Sequence, residues 1–180
     1  MTIFALSTGP GISGVAVIRI SGKETSKTVK LLTGKSLPKP RVATLRKINK
    51  INTSELIDEG LILWFPGPES YTGEDMAEIQ VHGSKAVVDA LHSTLSDIEN
   101  CRLAEPGEFT KLAFQNGKIN LLKAESIADL ISSETEIQVH GSKAVVDALH
   151  SSLSEIENCR LAGPGEFTKL AFQNGKINLL

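Results

Sequence analysis

Residues 78–122 recur at 136–180, with 42 of the 45 positions identical at an offset of 58. The exceptions are Thr94 against Ser152, Asp97 against Glu155, and Glu105 against Gly163. A single core accepts one copy of such a segment at full packing density, so the duplication limits how much of the chain can be one working domain. It is not a solenoid or propeller, which stack about three or more units of roughly 20–50 residues. Near-identity also argues against an old structural repeat, whose copies would have diverged to suit different neighbours. A recent duplication or a misjoined gene fits best; a pseudo-symmetric pair is the alternative.

At 180 residues the chain is expected to form one domain, or one domain with an appendage. No apolar run approaches the ~18 residues of a membrane span. Met1–Leu6 is too short, and lacks the basic lead, for a signal peptide. Cys101 and Cys159 are equivalent positions of the repeat, so they are one cysteine counted twice. That argues against a disulfide framework and fits a reducing cytosol. The charges are sorted: Lys30–Lys50 carries seven basic residues and no acidic one, and Ile51–Ser84 carries seven acidic residues and no Lys or Arg. Solvated surface explains both runs; attraction of a phosphate or anionic partner to the basic one is the functional reading. Aromatic residues are 4% of the chain and do not interleave with the basic run, so a base-stacking platform is not expected.

Ile3–Ser7 and Val15–Ile20 read as strands, the second alternating Val15 and Val17 against Ala16 and Ile18. Ser21 is placed to cap a helix over Lys23–Leu32, which Gly34 ends. Val42–Ile51 and Ile57–Phe65 read as paired strands, the second with Leu61, Leu63 and Phe65 facing one way and stopped by Pro66-Gly67-Pro68. Ala77–Val81 is a short strand. Ser84 then caps an amphipathic helix whose stripe is Val87, Val88, Leu91, Leu95 and Ile98. Pro106-Gly107-Glu108 opens a second late helix that Gly117 closes, and Asn120 starts a third. Early strands and late helices predict an α+β fold with a mixed or antiparallel sheet. The second copy replays strand, helix and helix and stops at Leu180, where its third helix should begin, so the chain reads as truncated.

Two phosphate-binding patterns are decoys. Gly9-Pro10-Gly11-Ile12-Ser13-Gly14 matches Gly-x-Gly-x-x-Gly, but a dinucleotide site needs a helix next, and the β-branched Val15–Ile20 follows. Gly34-Lys35-Ser36 resembles the tail of a P-loop, but Val29 stands where the motif needs glycine and a helix precedes it. No GTP site is expected in this chain. His82 and His92 lack a third ligand at suitable spacing and read as structural. Cys101 reads as a small buried residue rather than a nucleophile. Arg19, inside a strongly apolar strand, must sit at an edge, find a partner or face a ligand; a surface Arg that buries only its stem is the competing reading. Glu78 poses the same question in its strand. An Arg could grip a carboxylate and a Glu could accept from ring N–H groups.

Several stretches taken together resemble one family. They are Thr8-Gly9-Pro10-Gly11 leading to Val17-Ile18-Arg19-Ile20-Ser21-Gly22; Leu63-Trp64-Phe65-Pro66-Gly67-Pro68; Tyr71-Thr72-Gly73-Glu74-Asp75; and Val81-His82-Gly83. Pro106-Gly107-Glu108-Phe109-Thr110, Asn116-Gly117-Lys118-Ile119-Asn120-Leu121 and Ala124–Ile131 complete the set. The resemblance is to the N-terminal domain of the MnmE/TrmE family of tRNA uridine-modifying GTPases, in register from residue 2 to about 136. It implies a fold similar to aminomethyltransferase-type folate-binding domains. It further implies a homodimer and 5-formyl- or 5,10-methylene-tetrahydrofolate as cofactor. The family's folate-binding positions fall on Arg19, Glu78 and Lys118; read alone, Lys118 is only a lysine favourable to a helix C-terminus. The full protein implied by the family works with an MnmG-type flavoprotein to place a carboxymethylaminomethyl or related group at C5 of the tRNA wobble uridine. The implied location is cytoplasmic, or mitochondrial in a eukaryote, with no membrane partner.

Expected organisation is a folate-binding domain over 1–122, the start of a helical domain over 123–136, and the near-copy of 79–122 over 137–180. The family's GTPase domain, and the C-terminal lysine and cysteine motif of its helical domain, have no counterpart in these 180 residues, so neither GTP hydrolysis nor complete tRNA modification is expected of them. Glu-Ile-Gln occurs at both Glu78–Gln80 and Glu136–Gln138, and a jump between the two accounts for the second copy. Glu136 and Lys176 repeat Glu78 and Lys118, but Arg19 has no second counterpart, so a second complete folate site cannot be built. The competing reading is an inactive fragment or misjoined product acting at most as an interaction module.

Overall fold

The computed structural model describes residues 1–9, 13–51, 53–132, 150–157, 159–163 and 166–174. The chain divides into two compact units, Met1–Ser126 and Ile127–Leu180. The first unit is built on a six-stranded sheet in the order β3-β4-β5-β2-β1-β6. The strands are β1 (Thr2–Leu6), β2 (Ser13–Ser21), β3 (Thr44–Asn49), β4 (Leu56–Phe65), β5 (Met76–Gly83) and β6 (Cys101–Leu103). Among the pairings of these six strands, β1–β6 is parallel and the others are antiparallel. The helices are α1 (Thr25–Thr33), α2 (Lys85–Ser96), α3 (Glu108–Gln115) and α4 (Leu121–Ser132). This is the expected α+β class with a mixed sheet. No helix among the described residues is long and apolar enough to cross a membrane.

Alternation in the strands decides which face is covered. Ala16, Ile18 and Ile20 of β2, Ile62 and Trp64 of β4, and Ile79 and Val81 of β5 all point to one side. There they meet Val29 and Leu32 of α1, Leu91 and Leu95 of α2, and Ile98, so one core holds sheet and helices together. The predicted stripe of α2 is that core face, and Ser84 caps it by accepting the Val87 N–H at 3.3 Å. On the other side of the sheet Val15, Leu45 and Leu61 are exposed, and Val17, Arg19, Leu63, Phe65, Glu78 and Gln80 are half-buried.

Two local expectations need correction. Ser21 does not cap α1: it ends β2, fully buried, with its hydroxyl 2.7 Å from that of Thr72. Helix α1 starts later, at Thr25, and the Glu24 N–H that precedes it donates to the Thr2 hydroxyl at 2.9 Å. A residue distant in sequence thus satisfies an end that a local cap was expected to satisfy. Strand β6 was not expected. It exists because the parallel pairing of Thr2, Ile3 and Phe4 with Cys101, Arg102 and Leu103 gives its backbone partners. The glycine-rich segment before Ser13 leads straight into strand β2, as the β-branched run required; Pro10–Ile12 lie outside the described residues. Gly34, in the P-loop-like decoy, is the left-handed cap of α1, and Val29 is buried in the core.

The second unit repeats the local structure of the first copy but not its burial. Residues 150–154 are helical, and the helix Glu166–Gln173 repeats α3. Arg102 and Glu108 form a two-bond ion pair in the first copy, and Arg160 and Glu166 form the same pair in the second. The Glu105 N–H donates to Glu108 at 2.8 Å, and the Gly163 N–H to Glu166 at 2.7 Å. The Arg160 guanidinium, with that N–H, holds the Glu166 carboxyl down at about 2. Tertiary features differ. Leu95 and Ile98 are 0% and 7% exposed, whereas Leu153 and Ile156 are 48% and 55% exposed. Cys101 is buried, which pushes its thiol up to about 11, and Cys159 is exposed. Cys101–Leu103 is a strand; residues 159–161 are not. Glu136, Lys176 and the junction at 136–139 lie outside the described residues.

At the far end of the sheet, Asp58 of β4 accepts the His82 backbone N–H at 2.8 Å and faces the His82 Nδ1 at 2.9 Å. Desolvation works to raise the Asp58 carboxyl, but the backbone and ring hydrogen bonds from His82 and the Glu59 N–H outweigh it and leave it lowered. A carboxyl whose folded value lies below its unfolded value adds stability above about pH 4 and loses it as pH falls through the folded value. Asp58→Ala is therefore expected to cost about 1–2 kcal/mol at pH 7, with the gap from the parent closing toward pH 3. Urea unfolding across that range checks it; a gap that stays constant with pH counts against it.

Candidate functional site

The half-buried positions converge at one end of the open sheet face. Arg19 of β2 stands opposite Glu78 of β5, and Glu78 stands opposite Leu63 of β4. Side chains directly opposite on antiparallel strands are close enough to interact. Here the Arg19 Nε–H donates to Glu78 Oε1 at 2.8 Å. Arg19 is 36% and Glu78 19% exposed at the side chain, so the pair is neither fully solvated nor sealed. Two residues along each strand, Phe65 stands opposite Met76 and supplies an apolar surface beside the charges. Arg19, Glu78, Phe65 and Met76, together with Arg41, Ser70 and Tyr71, line a cleft of about 180 Å³.

The loop between β4 and β5 forms one wall and is tied down on several sides. The Gly22 N–H donates to the Asp75 carbonyl at 3.0 Å, and the Gly67 N–H to the Asp75 carboxylate at 3.0 Å. The Ser70 hydroxyl donates to the Glu74 carbonyl. Asn116 donates from Nδ2 to the Thr72 carbonyl at 2.7 Å, and the Tyr71 and Thr110 hydroxyls lie 3.3 Å apart. The Tyr71–Asp75 and Asn116–Lys118 stretches are thus two sides of one contact. Gly73, with φ +80°, lets it close: a Cβ there would stand 3.1 Å from Asn116 Cβ and 3.3 Å from Lys118 Cγ.

The three sequence-predicted positions are therefore placed differently. Arg19 and Glu78 are joined directly in the cleft. Lys118 is exposed, packs its stem beside Gly73, and is not among the residues lining the cleft. Arg41 was missed. It belongs to the basic run and is brought to the cleft opposite residues of the acidic run; the flanking Lys39-Pro40 was the one available signal, since a proline turn redirects the chain. The two histidines take structural places: His82 pairs with Asp58, and His92 packs on Phe4 with ring centroids 5.6 Å apart. A larger cavity of about 490 Å³ lies on the helix side, lined in part by Lys27, Lys50, Asp97 and Glu99. Lys50 is already paired with Glu55 at 2.7 Å, and among the described residues lining this cavity no opposite charges pair across it, so the smaller cleft is the better site.

What the cleft can do chemically is recognise a flat, polar ring. Glu78 can accept from ring N–H groups, Arg19 can donate to ring oxygen or nitrogen, and Phe65 and Tyr71 supply aromatic surface beside them. Among the residues that line it there is no cysteine or serine–histidine pair and no pair of carboxylates.

The family model described as "GTP-binding protein TrmE N-terminus" matches residues 2–118 and again 132–176. A relative named "tRNA modification GTPase MnmE" from Pelagibacter ubique is 81% identical over 138 residues, covering 77% of this chain and 31% of the relative. One of the same name from Phenylobacterium zucineum is 50% identical over 156 residues, covering 87% of this chain and 34% of the relative. The "5-taurinomethyluridine-[tRNA] synthase subunit GTPB3, mitochondrial" of Danio rerio is 50% identical over 137 residues, covering 76% and 27%. The chain spans about a third of the length of these relatives.

Proposed function

Because this chain belongs to the family of the GTP-binding protein TrmE N-terminus, we propose that it is the reduced-folate-binding, dimerising module of a tRNA-modifying GTPase. It corresponds to the N-terminal region of MnmE-type proteins. The cofactor proposed is 5-formyl- or 5,10-methylene-tetrahydrofolate, whose ring meets Glu78 and Arg19, with Lys118 contributing from the neighbouring loop contact. The observation that carries this reading is the Arg19–Glu78 pair set in a cleft with an aromatic wall. A folate supplies a one-carbon unit; these side chains bind and orient its ring. The open sheet face with exposed Val15, Leu45 and Leu61 supports a homodimer, since apolar surface of this kind favours association. Partnership with an MnmG-type flavoprotein and with tRNA, modification at the wobble uridine, and a cytoplasmic or mitochondrial setting are proposed for the whole protein of which this unit is a part.

Titration calorimetry of the chain with 5-formyltetrahydrofolate tests the reading, and sedimentation equilibrium in the same buffer reports the dimer. Saturable heat is the expected result; a folded sample that gives none would sink the folate assignment.

A second reading is favoured by one observation. The apolar positions of the second copy, Leu153, Ile156, Leu161 and Leu170, are exposed. The copy is then a passenger that contributes association rather than chemistry, and the whole chain acts at most as an interaction module.

A further inference from the structure

We propose that Arg41 is the anion-recognition residue of this cleft, taking a carboxylate at the far end of the ligand whose ring reaches Arg19 and Glu78; this rests on the folate reading above. Charge is the first reason. The cleft is lined by two guanidinium groups and one carboxylate, and the carboxylate is already engaged by Arg19. One positive charge is left over, and it belongs to Arg41. Among the described residues no acidic side chain forms an ion pair with Arg41; one of its Nη2 hydrogens goes to the Glu69 carbonyl. An arginine has five N–H donors in a planar fork that matches a carboxylate, so most of its capacity remains for a ligand.

Size is the second reason. The cleft holds about 180 Å³. Pockets that enclose a drug-sized ligand hold roughly 300–1,000 Å³. This one accommodates a ring head and leaves a tail at its mouth. Arg41 is an exposed member of the lining, with its guanidinium carbon 5.5 Å from the centroid of the Phe65 ring. Stacking on Phe65 fixes the plane of the fork, and the Glu69 carbonyl fixes its rotation.

Backbone geometry is the third reason. The Val42 N–H donates to the Lys39 carbonyl at 3.2 Å, closing a four-residue turn with Pro40 second and Arg41 third. Arg41 has φ +62°. Proline followed by a positive φ is the pattern of a type II turn, whose third position favours glycine or asparagine. The Arg41 N–H is also held by the Trp64 carbonyl at 2.8 Å, so the turn is anchored to β4. Side chains in sparsely populated backbone regions cluster at ligand clamps. An arginine here carries a conformational cost that glycine lacks, and what it adds is the fork in the cleft lining.

That geometry supplies its own control, because Arg41→Gly and Arg41→Asn suit the turn better than the native residue. Both variants and the parent chain are titrated with 5-formyltetrahydrofolate and with 6-methyltetrahydropterin, which keeps the ring and lacks the carboxylates. The expected result is a loss of about 10–30-fold in affinity for the folate in both variants. Affinity for the pterin should fall far less than affinity for the folate, and the melting temperature should be equal or higher. Unchanged folate binding in the variants, or an equal loss for both ligands, overturns the assignment of Arg41 alone. A parent chain that binds neither ligand overturns the folate reading, and the Arg41 assignment falls with it.

Discussion

Replacing Arg19 with alanine is expected to weaken 5-formyltetrahydrofolate binding about a hundredfold while lowering stability by less than about 1 kcal/mol. The two magnitudes separate because the residue has two settings. Without ligand, the Arg19–Glu78 pair is partly exposed, and such pairs contribute little to folding. With a ring in the cleft, water leaves and the same charges act on a bound polar group, where truncating one partner strands the other. Glu78→Gln should act in parallel: it keeps the shape and removes the charge that accepts ring N–H groups. Calorimetry gives the affinity, and urea unfolding on the same samples gives the stability. Unchanged affinity in both variants would remove this pair from the site. A collapse of stability matching the loss of affinity would make the pair a structural one instead.

The second large effect compares two leucines that the amino-acid sequence makes equivalent. Leu95→Ala should cost about 2–5 kcal/mol, the usual range for emptying a closed core position. Leu153→Ala should stay within about 0.5 kcal/mol, as exposed substitutions do. Leu95 lies fully buried among Ile98, Leu91 and the sheet, and Leu153 stands exposed on the residues 150–154 helix. Thermal or urea unfolding of the single variants decides between them. Equal costs would mean that the second copy is buried in solution; a stabilising Leu153→Ala would mark that leucine as a seat of self-association.

Most of the scaffold was legible because its signals are local and periodic. The alternation in Val15–Ile20 and Ile57–Phe65, the stripe from Val87 to Ile98 and the cap at Ser84 each report on neighbours a few residues away. The same logic made Arg19 and Glu78 conspicuous as charges in apolar strands, although their pairing depends on the register of β2 against β5. What was not legible depends on distant partners. Ser21 has the chemistry of a cap, but Thr72 claims its hydroxyl and Thr2 does the work at α1. Strand β6 is too short to show a period and forms only against β1. Arg41 sits in a run of solvated basic residues, and only the preceding Pro40, a turn signal with no bearing on charge, sets it apart from Arg46. Its meaning comes from Phe65 and the loop that follows.

Cys101-Arg102-Leu103 and Cys159-Arg160-Leu161 are the same three letters, yet one is a strand beside β1 and the other is not. Any inference that travels by letters alone scores both alike, and the family match accordingly runs through both copies. Counting sites this way would credit the chain with a second Glu and a second Lys of a folate site. A binding site is instead a meeting of addresses, and the sheet offers one Arg19 for all of them to meet. The folate proposal therefore predicts one ligand per chain, whichever copy of the repeated text is read.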